Sequence, residues 1–304
     1  MSSSDIGRYP GFKEATLDVG EIKMNFAEGP DNGPPLVLLH GLGRRWQVFE
    51  PLIPALSKSW HIYAPDLRGH GESAHIPRGY RGKEYAQDVI TFLEQRVPGP
   101  AILFGHSLGG MIGLWIAAHR PELVRALMVG DSMLMSKGFE PDTMYPMLFA
   151  GLRDLASKKY EIDQLADGLA TIKIKVPGLT EAVPIGDLPG NDRETLLLWA
   201  ACVKQVDPDA FAMTLDGSSL QDWDGETLLG QVRCPTLLLQ GNPELGALMS
   251  DADVVRALKL LPAAVHVRFP TLGHALYIQQ PEPVLRAVTA FLQNVVTGQL
   301  PMPR

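Results

Sequence analysis

Gly105, His106, Ser107, Leu108 and Gly109 stand between an apolar run at 101–104 and a segment of helical periodicity at 108–119, and no other feature constrains this chain as strongly. A serine with glycines two positions before and after it, entered from a strand and left by a helix, requires a sharp turn with strained backbone angles. The helix must also pack closely against the strand. Such a turn lifts the serine hydroxyl to the amino end of a helix, where backbone N–H groups and the helix dipole favour developing negative charge. Ser107 is therefore the expected nucleophile.

The surrounding pattern agrees with a strand–turn–helix unit at that point. Short apolar runs at 36–39, 62–64, 101–104, 126–129, 236–239 and 265–269, each closed by Gly, Asp or Pro, alternate with helix-spaced segments at 83–97, 108–119, 251–261 and 281–295. That alternation predicts an α/β fold, a mostly parallel central sheet flanked by helices, with an antiparallel entry around 16–26. From 134 to 223 it stops, giving way to amphipathic helical segments and a loop at 177–190. A stretch of that length is too long for a simple connection, so we expect an inserted helical cap at 134–223 over a core formed by 1–133 and 224–304. Met133, Met135, Met144 and Met147 cluster at its start and suit either ordinary packing or a pliable substrate lining.

Composition narrows the function classes. The formal charge of −7 comes with no basic run to neutralise phosphates, which argues against a nucleic-acid partner. The opening MSSSDIGRYPGF has neither a positive n-region nor an apolar h-region, and no apolar stretch approaches the roughly 18 residues of a membrane span. Two cysteines, Cys202 and Cys234, lack CxxC spacing and a partnering His run, so reduced thiols, a cytoplasmic location, and neither a metal nor an organic cofactor are expected.

Two further motifs complete the chemistry. His40, Gly41, Leu42 and Gly43 follow the first buried parallel strand, where a backbone N–H can turn toward the serine; the amides of Leu42 and Leu108 are the expected oxyanion donors. His40 itself reads as a loop brace. A serine alcohol is a weak nucleophile at neutral pH and needs a base whose pKa lies near it. His274, in a loop after the last strand and before the last helix, is that base by position. Gly41, His106, Met133 and Met135 are the expected substrate-contacting residues.

Taken together, HGLG at 40–43, DLRGHGES at 66–73, GHSLGG at 105–110 and the late Gly273-His274 resemble the α/β-hydrolase superfamily over nearly the whole chain. The resemblance implies the α/β-hydrolase fold and a Ser-His-acid triad. It also places DLRGHGES after the fourth strand as a pocket wall, read here as a turn with Asp66 and Arg68 paired locally. Two residues fit the triad acid. Glu244 lies in the loop after strand 236–239, near the superfamily's usual position, although Glu stands where Asp is usual; Asp131, at the end of strand 126–129, occupies the place some branches use instead. The shorter side chain on a fixed strand end favours Asp131. Ser107 at the turn excludes relatives that need a carboxylate nucleophile, and leaves esterases, lactonases, carbon–carbon hydrolases, perhydrolases and hydrolase-like ligand receptors. VGEIKMNFA at 19–27, with GDS at 130–132, is similar to mycotoxin lactone hydrolases, which brings lactones forward among the esters. The expected substrate is a small hydrophobic ester or lactone.

Overall fold

The structure, a computed structural model, describes Tyr9 and residues 11–135, 138–140, 143–261 and 263–299. Most of the opening twelve residues lie outside that range. A hairpin of β1 (Lys13–Asp18) and β2 (Lys23–Glu28) forms the antiparallel entry. Then come β3 (Pro35–Leu39), the short helix α1 (Ile53–Leu56), β4 (His61–Pro65), α2 (Gly82–Arg96), β5 (Ala101–His106), α3 (Leu108–His119) and β6 (Val124–Gly130). The sheet is completed by β9 (Thr236–Gln240) and β10 (Ala264–Arg268), in the order β1-β2-β4-β3-β5-β6-β9-β10. Every pairing from β4 to β10 is parallel, whereas β2 meets both β1 and β4 antiparallel.

Alternation along the strands builds the two sides of the core. Leu36 and Leu38 of β3 face one cluster and Val37 and Leu39 the other; Ile102 and Phe104 of β5 are likewise separated from Leu103. Because both faces are covered, these strands are apolar throughout. One face is packed by α2, α3, α8 (Gly225–Gln231) and α9 (Asp251–Leu260), the other by α1, α10 (Leu276–Gln279) and α11 (Pro281–Thr297). The chain leaves β3 to one side for β4 and returns on the other side for β5. The crevice at the carboxyl ends of β3 and β5 is thus the topological switch point, where open α/β sheets hold their ligands.

Between β6 and α8 the chain forms α4 (Met144–Ala156), α5 (Ile162–Thr171), α6 (Arg193–Val203) and α7 (Pro208–Leu215). The expected loop at 177–190 contains the second strand of a small antiparallel ribbon, β7 (Lys173–Ile174) with β8 (Val183–Pro184). These helices own a separate apolar cluster, including Phe149, Leu165, Leu196 and Phe211. Leu134, Leu220 and Trp223, at the two ends of this stretch, pack instead into the sheet's own core. Polar contacts fasten the helices to the loop after β4. Asp207 N–H donates to the Gly69 carbonyl at 2.8 Å, and the Tyr80 hydroxyl donates to Asp207 Oδ2 at 2.6 Å. Among the described residues, no helix is long and apolar enough to cross a membrane.

The segment at 66–73 is a turn as expected, but Asp66 and Arg68 are not paired with each other. Asp66 accepts from Trp46 N–H, Asn25 Nδ2 and Glu72 N–H. Arg68 reaches down to α2 instead, donating Nε to Asp88 Oδ2 at 2.6 Å and Nη2 to Asp88 Oδ1 at 2.7 Å. Sequence reading missed this because the long arginine side chain reaches a helix more easily than an acid two residues away whose oxygens are already claimed by amides. Both partners are almost wholly buried. Removing Asp88 leaves the buried guanidinium with only the exposed Glu21 as counter-charge, so Asp88→Ala is expected to lower the unfolding free energy by about 3 kcal/mol in urea titrations.

Candidate active site

Ser107 sits between β5 and α3 with φ 56° and ψ −119°, a conformation that L-residues avoid. The surroundings hold it there. A Cβ on Gly105 would lie 2.1 Å from the Gly109 carbonyl oxygen, and one on Gly109 would lie 2.0 Å from that of Leu39, so α3 presses on β5 and β3 closely enough to admit only glycine. Ser107 N–H donates to the Gly130 carbonyl at 2.9 Å, which extends the β5–β6 ladder through the strained residue. The hydroxyl makes no hydrogen bond among the described residues and faces a cavity also lined by Leu42 and Leu108. Such bonds are often long until a substrate is in place.

The loop after β3 meets Ser107 from the other side: a Cβ on Gly41 would lie 3.1 Å from Ser107 Cβ. The amides of Leu42 and Leu108 have no acceptor among the described residues, as oxyanion donors require. Two histidines hold this loop in shape. His40 is buried, donates Nδ1–H to the Gly41 carbonyl and accepts Leu67 N–H on Nε2. His70 donates to the Arg68 carbonyl and accepts Gly43 N–H at 3.0 Å. Both need a bare Nε2 lone pair, so neither can be protonated without losing a bond. Burial pushes His40 well below its ordinary value and His70 down to about 4.

Asp131 follows β6 and is wholly buried, with φ 36°. Its Oδ2 stands 2.6 Å from His274 Nδ1 and accepts Leu248 N–H at 2.8 Å; Oδ1 accepts Met249 N–H at 3.2 Å and Gly241 N–H at 3.4 Å. Glu244 lies in the same loop as those amides, yet is exposed in the turn Pro243–Leu245, with its own N–H capped by Asn242 Oδ1. The structure thus brings Asp131, and not Glu244, to the imidazole. The loop after β9 contributes backbone donors in place of an acid.

His106 was expected to touch substrate but faces the other way. It is buried, donates Nε2–H to the His274 carbonyl at 2.8 Å, and lies with its ring 4.7 Å from that of His274. Burial first, and the neighbouring His274 second, push it down to about 3, so it stays neutral. Tyr145 of α4 meets the His274 ring edge-on at 5.6 Å, an orienting contact that sequence reading missed because nothing in α4 marks which aromatic turns inward. Of the expected contact residues, Met133 lines the cavity, whereas Met135 packs against the core and Gly41 backs the serine. Among the described residues no group of three His, Cys, Asp or Glu side chains could hold a metal ion.

Strand, strained serine, helix and a late histidine on a buried carboxylate define an α/β hydrolase. A family model described as the alpha/beta hydrolase family matches residues 36–287, and the chain belongs to that family. It is 27% identical to 2-(acetamidomethylene)succinate hydrolase of Mesorhizobium japonicum, over 92% of this chain and 95% of the relative. It is also 27% identical to a pimeloyl-[acyl-carrier protein] methyl ester esterase of Chromobacterium violaceum, over 88% of this chain and 98% of the relative. The crystal structure of E-2-(acetamidomethylene)succinate hydrolase superposes with a TM-score of 0.73 at 27% identity, covering 93% of this chain and 99% of that one.

Two outcomes follow from this geometry. Asp131→Asn should lower kcat by about 10⁴, because the wrong imidazole tautomer is then favoured, while Glu244→Gln leaves kcat within a factor of two. The second concerns pH. A histidine with a depressed folded pKa stabilises the fold above the unfolded value of 6.5, and that stability is lost as pH falls from there toward its folded value. Urea midpoints should therefore drop between pH 6.5 and about 4, with a shallower drop in His70→Gln, which keeps an acceptor for Gly43 and does not titrate.

Proposed function

We propose that the protein is a serine hydrolase that cleaves the ester or lactone bond of a small hydrophobic substrate through an acyl-enzyme intermediate. The observation that carries this reading is the 2.6 Å contact between His274 Nδ1 and the fully buried Asp131 carboxylate, which leaves Nε2 as the basic nitrogen. Ser107 Oγ attacks the carbonyl carbon as His274 Nε2 takes its proton; the C=O electron pair moves onto oxygen and is met by the amides of Leu42 and Leu108. The imidazolium, held by Asp131, then gives its proton to the departing alcohol oxygen. Water repeats the sequence on the acyl-enzyme, freeing the acid and restoring Ser107.

The mostly hydrocarbon cavity beside Ser107, with Met111, Ile112, Trp115, Met133 and Phe149 in its wall, supports an apolar acyl or ring group. The methyl ester esterase among the relatives supports the ester bond. We place this activity in the cytoplasm, a reading supported by two buried cysteines that remain free thiols.

The test uses p-nitrophenyl acetate and butyrate. Steady turnover, faster for butyrate and reduced at least 10³-fold by Ser107→Ala, is the expected result. A single stoichiometric burst without turnover would instead make the protein a hydrolase-like receptor.

A further inference from the structure

The cavity at Ser107 does not end beside it. Leu108, Met111, Ile112 and Trp115, spaced three or four apart on α3, all line it, so it follows one face of that helix. The helical rise makes that strip about 10 Å long. The first turn of α2 and the segment 219–223 close other sides of the cavity, and what they present is hydrocarbon. The Tyr80 hydroxyl is spent on Asp207 and that of Thr214 on the Ala210 carbonyl, while the Tyr85 hydroxyl and Trp223 Nε1–H are buried away from the open space.

Two residues of the wall are charged, Lys83 and Asp222, and the same two are its exposed residues. They meet at 3.0 Å. The cavity therefore reaches solvent at this ion pair, which joins the start of α2 to the segment leading into α8.

Proton transfer decides which arm of an ester can enter. The departing alcohol oxygen must lie against His274 Nε2 to receive its proton, whereas the acyl carbon is bonded to Ser107. Ser107, Leu42 and Leu108 are in the cavity wall and His274 is not. The cavity thus receives the acyl arm, and the alcohol leaves on the imidazole side. With C–C bonds of about 1.5 Å in a zigzag, a strip about 10 Å long takes an extended chain of about eight carbons.

We propose that the cavity is a channel for an unbranched acyl chain of about eight carbons, and that the Lys83–Asp222 ion pair at its mouth sets that limit. The proposal rests on the ester-hydrolase reading and narrows its substrate from small hydrophobic esters and lactones to linear acyl esters of medium length. Methylenes inside the channel leave water and add to binding, whereas later ones must part the ion pair or stay in solvent. Lys83 and Asp222 are specificity residues with no part in bond cleavage.

The experiment measures kcat/KM for p-nitrophenyl esters from acetate to tetradecanoate, below micelle-forming concentrations. The value should rise about threefold per methylene as far as octanoate and then stop rising. Lys83→Met and Asp222→Asn each remove one charge at an exposed position, and in both the dodecanoate-to-octanoate ratio should rise about threefold, within the worth of an exposed ion pair. Acetate esters of linear alcohols should show no such break, because their chain departs on the imidazole side. The same chains as p-nitrophenyl ethers, which cannot be hydrolysed, read the break as Kd in calorimetry. An acyl series that is flat or climbs without a break, a break that both variants leave in place, or a break found in the alcohol series instead, overturns the channel. Absence of any ester turnover overturns the hydrolase reading, and the ether series then decides the channel alone.

Discussion

The arrangement depends on one carboxylate. Asp131 has no contact with solvent, and its two oxygens bind three backbone amides from the loop after β9 as well as the imidazole of His274. A buried anion is tolerable only when its lone pairs are met, and here the meeting groups are the parts that must be aligned. The amides fix the loop at 241–249 against β6, and Oδ2 fixes the imidazole against that loop. His274 is therefore referenced to the sheet, although it stands in a loop of its own. The loop's remaining bonds serve the same end: Asn242 N–H donates to the Leu272 carbonyl and Asn242 Nδ2 to that of Pro270, which ties the segment before His274 to the segment that binds Asp131.

Among the described residues three non-glycines have positive φ; Arg78 lies in a loop, and the other two lie at the strand ends where chemistry is expected. Ser107 and Asp131 both have positive φ, and both are the first residue beyond a central strand. Each is pinned by its own N–H to the neighbouring strand, Ser107 to Gly130 and Asp131 to Leu239. The parallel ladder thus continues one residue past its regular end and bears the cost of the unusual turn. The same ladder sets the spacing between the two residues, since β5 and β6 are adjacent. Glu244, with the longer side chain, would have had to return from an exposed turn to reach the same nitrogen.

Much of this was legible in the sequence, for identifiable reasons. Strands buried on both faces read as unbroken apolar runs, so 101–104 and 236–239 lie within β5 and β9, and the helix expected at 108–119 is α3. The strained turn at Ser107 was legible because the glycines at 105 and 109 stand where helix and strand press too closely for a side chain. Choosing between Asp131 and Glu244 was harder, since it turned on the path of the loop at 241–249, which is set by hydrogen bonds to Asp131 and leaves no periodic trace. His106 shows the same limit. Lying next to the nucleophile in sequence suggested substrate contact, but the pleat sends its side chain to the opposite side, onto the His274 carbonyl.

The histidines show how one residue type is sorted by surroundings. His40, His70 and His106 are buried, lack a carboxylate hydrogen-bonding partner, and are pushed down toward the neutral form, where a fixed tautomer makes each a dependable brace. His274 alone among these four has its Nδ1 on a carboxylate and a partly exposed ring, the combination that lets an imidazole gain and lose a proton during a reaction. The braces and His274 are physically joined, since His106 holds the His274 backbone and His40 and His70 hold the loop that carries Leu42. Neutral histidines therefore keep the braced loops in one geometry near neutral pH. Replacing any brace by a group that charges near pH 7 would make the site's shape depend on pH.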